Sequence, residues 1–510
     1  MKIGNAAPSN PRWLEEPFLH LRLRDGATQQ TGQASTLLGT KLPAGASGIP
    51  EGLYGEWDWD GETLTVCNDR YGIYPLYWYQ HGDDFGLSPS IPKLVELGAP
   101  RDWDEDALAV LMRFEACLGE DTPFKAIRAL PPGATLTWHA GQVAVTSVPL
   151  PIPEPFGGTR DEAIEYFIEL FRAAIRRRPP PEAGFGMPLS AGRDSRHILL
   201  ELLEAGWRPS YCASAHFYPP RPDYDPALAA QLTALAGIEH VALEQPRSQL
   251  SVLTRHYRLT NYCTMIPSFF LWVVSDYLHG RTETVYDGLG GDVLSAGAFL
   301  TQERLALYEA SRFSELADLD LDPESEGTLK SRLAPALYRR LSRERAQAHF
   351  VRHLERHSGA PDPVSRFFFH NRTRRSIALQ PCRIFGRFQT VHCPYLDHAL
   401  FDHLSSLPAR MLVDHALHTD AIHRAFPRYA GVPFNGKSDP PKHDDAHYWR
   451  LLCEVAGGVL SHPRSRVFRK STMLPRLALY AVDRERRRGI EWIGLRVAYL
   501  LGLEALTNAS

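Results

Sequence analysis

Leu189-Ser190-Ala191-Gly192-Arg193-Asp194-Ser195 stands between a short apolar run, Phe185 to Leu189, and a helix-periodic segment, Ser195 to Glu204. Open parallel sheets hold ligands where a strand turns into a helix in this way. Small residues let the backbone approach a phosphate, and the amides that open a helix carry partial positive charge. Ser190 and Ser195 add hydroxyls, and Asp194 is a hard oxygen ligand suited to magnesium. No Gly-Lys-Ser/Thr follows, so the stretch is not a Walker loop. Gly192 is expected to admit no side chain, because one would enter the phosphate cradle or strain the turn. A plain capped turn would use the same residue types.

Around this loop, strands and helices alternate. Ser210 to Ala215, His240 to Glu244 and Thr282 to Tyr286 read as strands, and Pro226 to Ala236 reads as a helix. That alternation predicts a parallel sheet with helices on both faces. Beyond about residue 300 the chain is mostly helical in character and has no repeats.

The front of the chain reads differently. Trp57-Asp58-Trp59-Asp60-Gly61 is a strand entering an Asp-Gly turn, and Leu64 to Cys67 resumes the next strand. Tyr74 to Tyr79 has a β-type aromatic composition, and Pro131-Pro132-Gly133 is a turn before the strand Ala134 to Trp138 and a hairpin at Ala140-Gly141. Repeated prolines from Pro149 to Pro155 mark a linker. Thr159 and Glu162 then form a capping-box pattern ahead of Ile164, Phe167, Ile168 and Phe171, which share one helix face. The boundary is placed here, with domains expected over 1–150 and 159–510.

Composition narrows the function classes. The chain has 510 residues, 44% hydrophobic and 23% charged, with a formal net charge of −3. That is the profile of a globular protein with no bulk attraction for nucleic acid. The basic runs Arg464, Arg466, Arg469, Lys470 and Arg484, Arg486, Arg487, Arg488 read as solvated helix faces. Seven scattered cysteines without a CxxC pair suit free thiols rather than a zinc site. The longest apolar stretch, Ile266 to Val274, is far too short to cross a membrane, and Met1 to Pro11 has no apolar signal core. A cytoplasmic protein is expected, without nucleic-acid or membrane partners.

Further motifs follow in order. Gly288-Leu289-Gly290-Gly291-Asp292 comes after a strand, Pro394-Tyr395-Leu396-Asp397 precedes Leu407-Pro408, and Asp69 to Tyr77 reads DRYGIYPLY, with Leu130-Pro131-Pro132-Gly133 after it. Together with the first loop they resemble the asparagine synthetase family, which includes β-lactam synthetases and lasso-peptide cyclases. Its elements are an SGGxDS pyrophosphate loop, a GxGxD loop, PFLD, and the DRxGxxPLY and PPG segments of a glutaminase-like front domain.

The resemblance implies an α/β protein. A β-rich sandwich of the Ntn-hydrolase type would precede a parallel-sheet domain of the adenine-nucleotide α-hydrolase type with a helical C-terminal part. It implies ATP and Mg²⁺ as cofactors. Leu189, Ser190, Ala191, Gly192, Arg193, Asp194, Ser195, Gly290 and Gly291 would hold the nucleotide phosphates, and Asp194 and Asp292 would share the metal. Asp194, Asp292 and a late lysine, Lys437 rather than Lys442, would be catalytic. The partners would be a small-molecule or peptide carboxylate and ammonia or an amine.

Departures from the family pattern matter too. Lys2 stands where a working glutaminase of this type has cysteine, so the front domain is expected to lack hydrolase chemistry. Leu289 stands where relatives carry Glu or Tyr, and a leucine cannot relay a proton. Asp287, Tyr286 and several histidines are left as alternatives for that role. Asn371, Arg372, Arg374 and Arg375 form a polar cluster suited to carboxylate or phosphate binding, or to a solvated helix turn. Three functions compete: an AMP-forming amide ligase, a glutamine-dependent asparagine synthase, and a non-catalytic nucleotide-binding homologue.

Overall fold

The computed structural model describes residues 16–45, 48–322, 326–434, 442–463 and 465–508. Ten strands build the front: β1 (Leu19–Arg24), β2 (Ala27–Gly32), β3 (Ser35–Ala44), β4 (Pro50–Trp59), β5 (Thr63–Asn68), β6 (Tyr77–His81), β7 (Asp84–Ser88), β8 (Arg128–Ala129), β9 (Ala134–His139) and β10 (Gln142–Ser147). They form two antiparallel five-stranded sheets, ordered β2-β1-β7-β6-β8 and β10-β9-β5-β4-β3. The period-two pattern turns Leu64, Val66, Leu136, Trp138, Phe85 and Leu87 inward, and these side chains fill the space between the sheets.

The turns follow their chemistry. Asp60 Oδ1 accepts the amides of Glu62 and Thr63 at 2.8 and 2.7 Å, which closes the β4–β5 hairpin. Ala140 and Gly141 both adopt positive φ between β9 and β10, as a two-residue hairpin of this twist requires.

Tyr74 to Tyr79 is only partly strand, because β6 starts at Tyr77. The buried Asp69 carboxylate collects the amides of Tyr71, Ile73 and Tyr74 at 3.0, 3.1 and 2.8 Å and folds that stretch into a tight loop. Three strong donors on one acceptor outcompete the aromatic β-propensity.

Behind the linker, Thr159 and Glu162 close a full capping box on the helix Arg160–Arg176. The strands β11 (Gly186–Pro188), β12 (Tyr211–Ala215) and β13 (Glu239–Leu243) pair in parallel in that order. A second parallel pair, β14 (Thr284–Tyr286) with β15 (Thr390–His392), lies beside β11, and the Gly186 amide donates to Thr282 Oγ1 at 3.3 Å. The helix Arg193–Glu204 links β11 to β12, and Asp225–Ala236 links β12 to β13. Strand β11 is shorter than the apolar run suggests. Only three residues pair in register, and Leu189 keeps an amide bond to Ala213 before the chain enters the loop.

Front and back share one apolar core, and an arginine-rich helix fastens them together. The wide-turn stretch Phe369–Ile377 contains the polar cluster, and most of it faces the front sheets rather than a ligand. Arg374 donates to the carbonyls of Gly72, Gly119 and Leu130 at 3.2, 3.4 and 3.0 Å, and reaches Glu120 at 3.3 Å. Arg375 donates to the Asp121 carbonyl at 2.6 Å, and Asn371 Oδ1 accepts the Gly119 amide at 3.0 Å. These guanidinium forks mainly satisfy backbone carbonyls, with Glu120 as the carboxylate partner of Arg374, which is why they are buried without a ligand.

All seven cysteines are free. Among the described residues no helix is long and apolar enough to cross a membrane. Arg484, Arg486 and Arg488 sit on a solvated face, whereas Arg487 turns inward to the carbonyls of Tyr480 and Ala481 and to Asp445.

Candidate active site

The first loop leaves β11 at Leu189, whose amide and carbonyl are held by Ala213 and Ser214 of the neighbouring strand. Its two serines lock onto each other. Ser190 Oγ and Ser195 Oγ lie 3.0 Å apart, Ser195 Oγ accepts the Ser190 amide at 3.1 Å, and Ser190 Oγ accepts the Gly192 amide at 3.1 Å. The hydroxyls expected to meet a ligand therefore shape the loop first. The Ala191 amide is bonded to Asp225, a buried residue at the start of the next helix that sequence reasoning missed.

The helix after the loop begins at Arg193, two residues before Ser195, with Gly192 as a cap that offers no side-chain acceptor. Its leading amides have no capping partner among the described residues, and Asp194 and Ser195 lie in the first turn. At φ −70° Gly192 is not strained, so the backbone reason for glycine falls away. A Cβ there would meet only Ser190 Oγ, at 3.1 Å.

The second loop presses against Asp194. A Cβ on Gly288 would lie 2.5 Å from Asp194 Cβ, and one on Gly291 would lie 2.5 Å from Asp194 Oδ1. Gly290 takes φ +90°, the left-handed turn that opens the short helix Gly291–Ser295. The Asp292 amide donates to the Asp194 carboxylate, and the exposed Asp292 side chain accepts from Val293 at 2.8 Å.

Asp194 Oδ1 is buried and has no hydrogen-bond partner among the described residues. Burial, then the Asp292 and Asp287 carboxylates, hold Asp194 well above the usual carboxylate range. Crowded acidic groups around an orphaned oxygen are the arrangement a divalent cation relieves. The site's donor set therefore fits magnesium.

A buried polar chain runs inward from Asp194. His418 Nδ1 stands 3.5 Å from Asp194 Oδ1 and 3.0 Å from Ser295 Oγ. Its Nε2 lies 3.2 Å from both His197 Nδ1 and the Tyr395 hydroxyl. Burial drives His418 well below the usual histidine range, so the ring is neutral. These groups come from four separate segments, and only Tyr395 lay in a recognised motif.

The remaining expected residues are placed as follows. Arg193 Nε donates to Thr419 at 2.7 Å, and its guanidinium stands 5.5 Å from the Phe434 ring. Asp397 faces away from the loops: it receives Arg177 and Arg178 at 2.9 and 3.0 Å and caps the helix His398–Ser406. Lys437 lies outside the described residues. Lys442 is committed elsewhere, donating to the Phe217 carbonyl and Asp223, both at 3.0 Å. The half-buried Arg372 lies over Phe299 and is drawn electrostatically to Asp292. A separate Asp121, His349 and His353 cluster has metal-ligand types, but Arg128 pairs with Asp121 at 3.1 Å and Arg352 with His349 at 2.7 Å.

Comparison with known proteins bears on the front. Residues 51–148 match the glutamine amidotransferase domain family. The similarity falls within the front sandwich. Two solved structures are similar at low level. The allosteric regulatory enzyme of purine biosynthesis is 14% identical, over 41% of this chain and 44% of its own, with a TM-score of 0.15. The glutamine phosphoribosylpyrophosphate amidotransferase from B. subtilis complexed with ADP and GMP is 12% identical, over 48% of this chain and 44% of its own, at 0.14. The chain thus spans less than half the length of these two structures. No curated protein matches the chain.

The packing gives a direct contrast between two glycines. Gly291→Ala should push the Asp194 carboxyl out of place, with a stability cost of about 1–3 kcal/mol in denaturant unfolding. Gly192→Ala should cost less than Gly291→Ala, since its methyl meets a single atom, Ser190 Oγ, which must give by a few tenths of an ångström. Equal stability in wild type and Gly291→Ala would show that the second loop does not press on Asp194.

Proposed function

We propose that this chain is an ATP-dependent, AMP-forming amide ligase of the asparagine synthetase type. The observation that supports it best is Asp194: a carboxylate with an orphaned buried oxygen, at an uncapped helix start, pressed against a second acidic loop. In this reading the fold behind residue 159 is a nucleotide-binding α-hydrolase domain. The phosphates of ATP lie along Leu189 to Ser195 and against Gly290 and Gly291. The amides that open the helix and Arg193 hold the anion. Asp194 and Asp292 would hold magnesium, which when bound offsets charge on the departing pyrophosphate. A substrate carboxylate oxygen attacks the α-phosphorus, and the bond to the β-phosphate bridging oxygen breaks. Nitrogen then attacks the acyl carbon, and AMP leaves with the former carboxylate oxygen. Lys437 is kept as the transition-state cation. The test is carboxylate-dependent exchange of labelled pyrophosphate into ATP across a panel of acids; no exchange with any acid would count against the ligase.

The nitrogen source separates two versions. The amidotransferase domain match favours glutamine. The described front cysteines favour free ammonia or an amine. Cys67 sits on β5 beside Thr135 Oγ1 at 3.7 Å, and Cys117 is fully buried with its thiol pushed well up, so neither is an activated nucleophile. We expect purified protein to release no glutamate from glutamine above background while forming amide with ammonium. Glutamate release that survives purification would restore glutamine-dependent transfer.

A further inference from the structure

We propose that Asp287 is a catalytic residue that takes the proton the attacking amine loses as the amide forms. The inference rests on the ligase reading above and names a residue that reading leaves open. When a neutral amine adds to an acyl carbon, its nitrogen becomes positively charged. An N–H bond must break, with the proton passing to an acceptor, before the amide is stable. Leu289 offers no acceptor.

The structure narrows the alternatives. The Tyr286 hydroxyl is spent on the Arg178 carbonyl, at 2.5 Å and away from the two loops. His392 is buried against the Tyr286 ring, with centroids 5.3 Å apart. His418 and His197 are fully buried behind Asp194 and hydrogen-bonded to each other. Asp194 and Asp292 are committed to the metal in the ligase reading.

Asp287 differs from all of these. It leaves the end of β14 directly into the second loop, and its amide donates to the His392 carbonyl at 2.9 Å, fixing the backbone. Its Oδ1 accepts the Leu289 amide at 2.9 Å, which sets the side-chain rotamer. The second oxygen makes no hydrogen bond among the described residues, and the residue is half-buried, so one oxygen remains for a substrate proton. The next residue, Gly288, packs on Asp194, which places the carboxylate beside the proposed nucleotide site. The ionisable groups felt around it are Asp194, Cys382 and Cys393. Burial lifts the Asp287 carboxyl to about 6, which suits a base that accepts and then releases a proton near neutrality.

The experiment separates the two half-reactions, using the full-length protein and whichever acid gives the strongest wild-type pyrophosphate exchange. Asp287→Asn should keep exchange within about threefold of wild type yet form amide from ammonium ~10²-fold or more slowly. Asp287→Glu should recover some of that rate. Hydroxylamine, a far less basic nitrogen whose adduct sheds its proton readily, should restore product formation in Asp287→Asn. Wild-type amide synthesis in Asp287→Asn overturns the assignment. Equal loss of exchange and synthesis, unrelieved by hydroxylamine, also overturns it, because that is the signature of a structural role. Absence of exchange in the wild type overturns the ligase reading and this inference with it.

Discussion

Asp194→Asn is expected to lower pyrophosphate exchange by about a thousandfold while leaving thermal stability unchanged or slightly raised. A metal contact that offsets several kcal/mol of developing charge corresponds to a loss of that size. Stability should not fall, because burial and its acidic neighbours already hold Asp194 well above the ordinary carboxylate range. An asparagine reproduces the shape of the protonated group without the ionisation cost. Asp292→Asn should lose exchange to a similar degree, and its exposed side chain gives no reason for a stability change. Circular dichroism and thermal melting should be run beside the exchange assay. A folded Asp194→Asn protein with near-normal exchange would show that the aspartates do not share a metal.

Arg178→Met should produce the largest stability loss, about 3–5 kcal/mol in denaturant unfolding. Arg178 is 2% exposed and donates to Glu51 and Asp397, both at 3.0 Å, and to the Ala174 carbonyl at 2.8 Å. Removing it leaves the buried Glu51 carboxylate without a guanidinium and beside Asp397, which keeps Arg177; burial first, and then Asp397, already lift Glu51 above its ordinary range. Adding Glu51→Gln should recover much of the loss, since the stranded charge is then gone. If the double mutant is no more stable than Arg178→Met, the cost lies in packing and not in the unpaired charge.

Features set by neighbours in the chain were legible in the sequence. The Asp60-Gly61 turn, the Thr159 capping box and the strand-loop-helix around Ser190 depend on contacts a few residues apart, and local chemistry is enough to read them. Features set by distant partners were not. The aromatic run from Tyr74 gives no sign that Asp69 will gather three amides ahead of it. Arg374 and Arg375 look like anion ligands until their carbonyl acceptors, more than 240 positions away, come into place. Of the candidate site, the two acidic loops were singled out from sequence, and the structure brings them together. The His418, Ser295 and Asp225 contacts were not, because each joins segments that share no pattern. Asp287 was one of several alternatives, and the direction of the Tyr286 hydroxyl and the burial of the histidines separated them.

The Arg374 contact also limits how this chain could be recombined. A chimera cut in the proline linker, with its front taken from a relative, would strip the Arg374 guanidinium of three carbonyls and a carboxylate contributed by the loops at Gly72, Gly119–Glu120 and Leu130. The natural unit of exchange is therefore not the half-chain. It is the set of those three loops together with Phe369–Ile377, carried as one cassette across a break in the sequence.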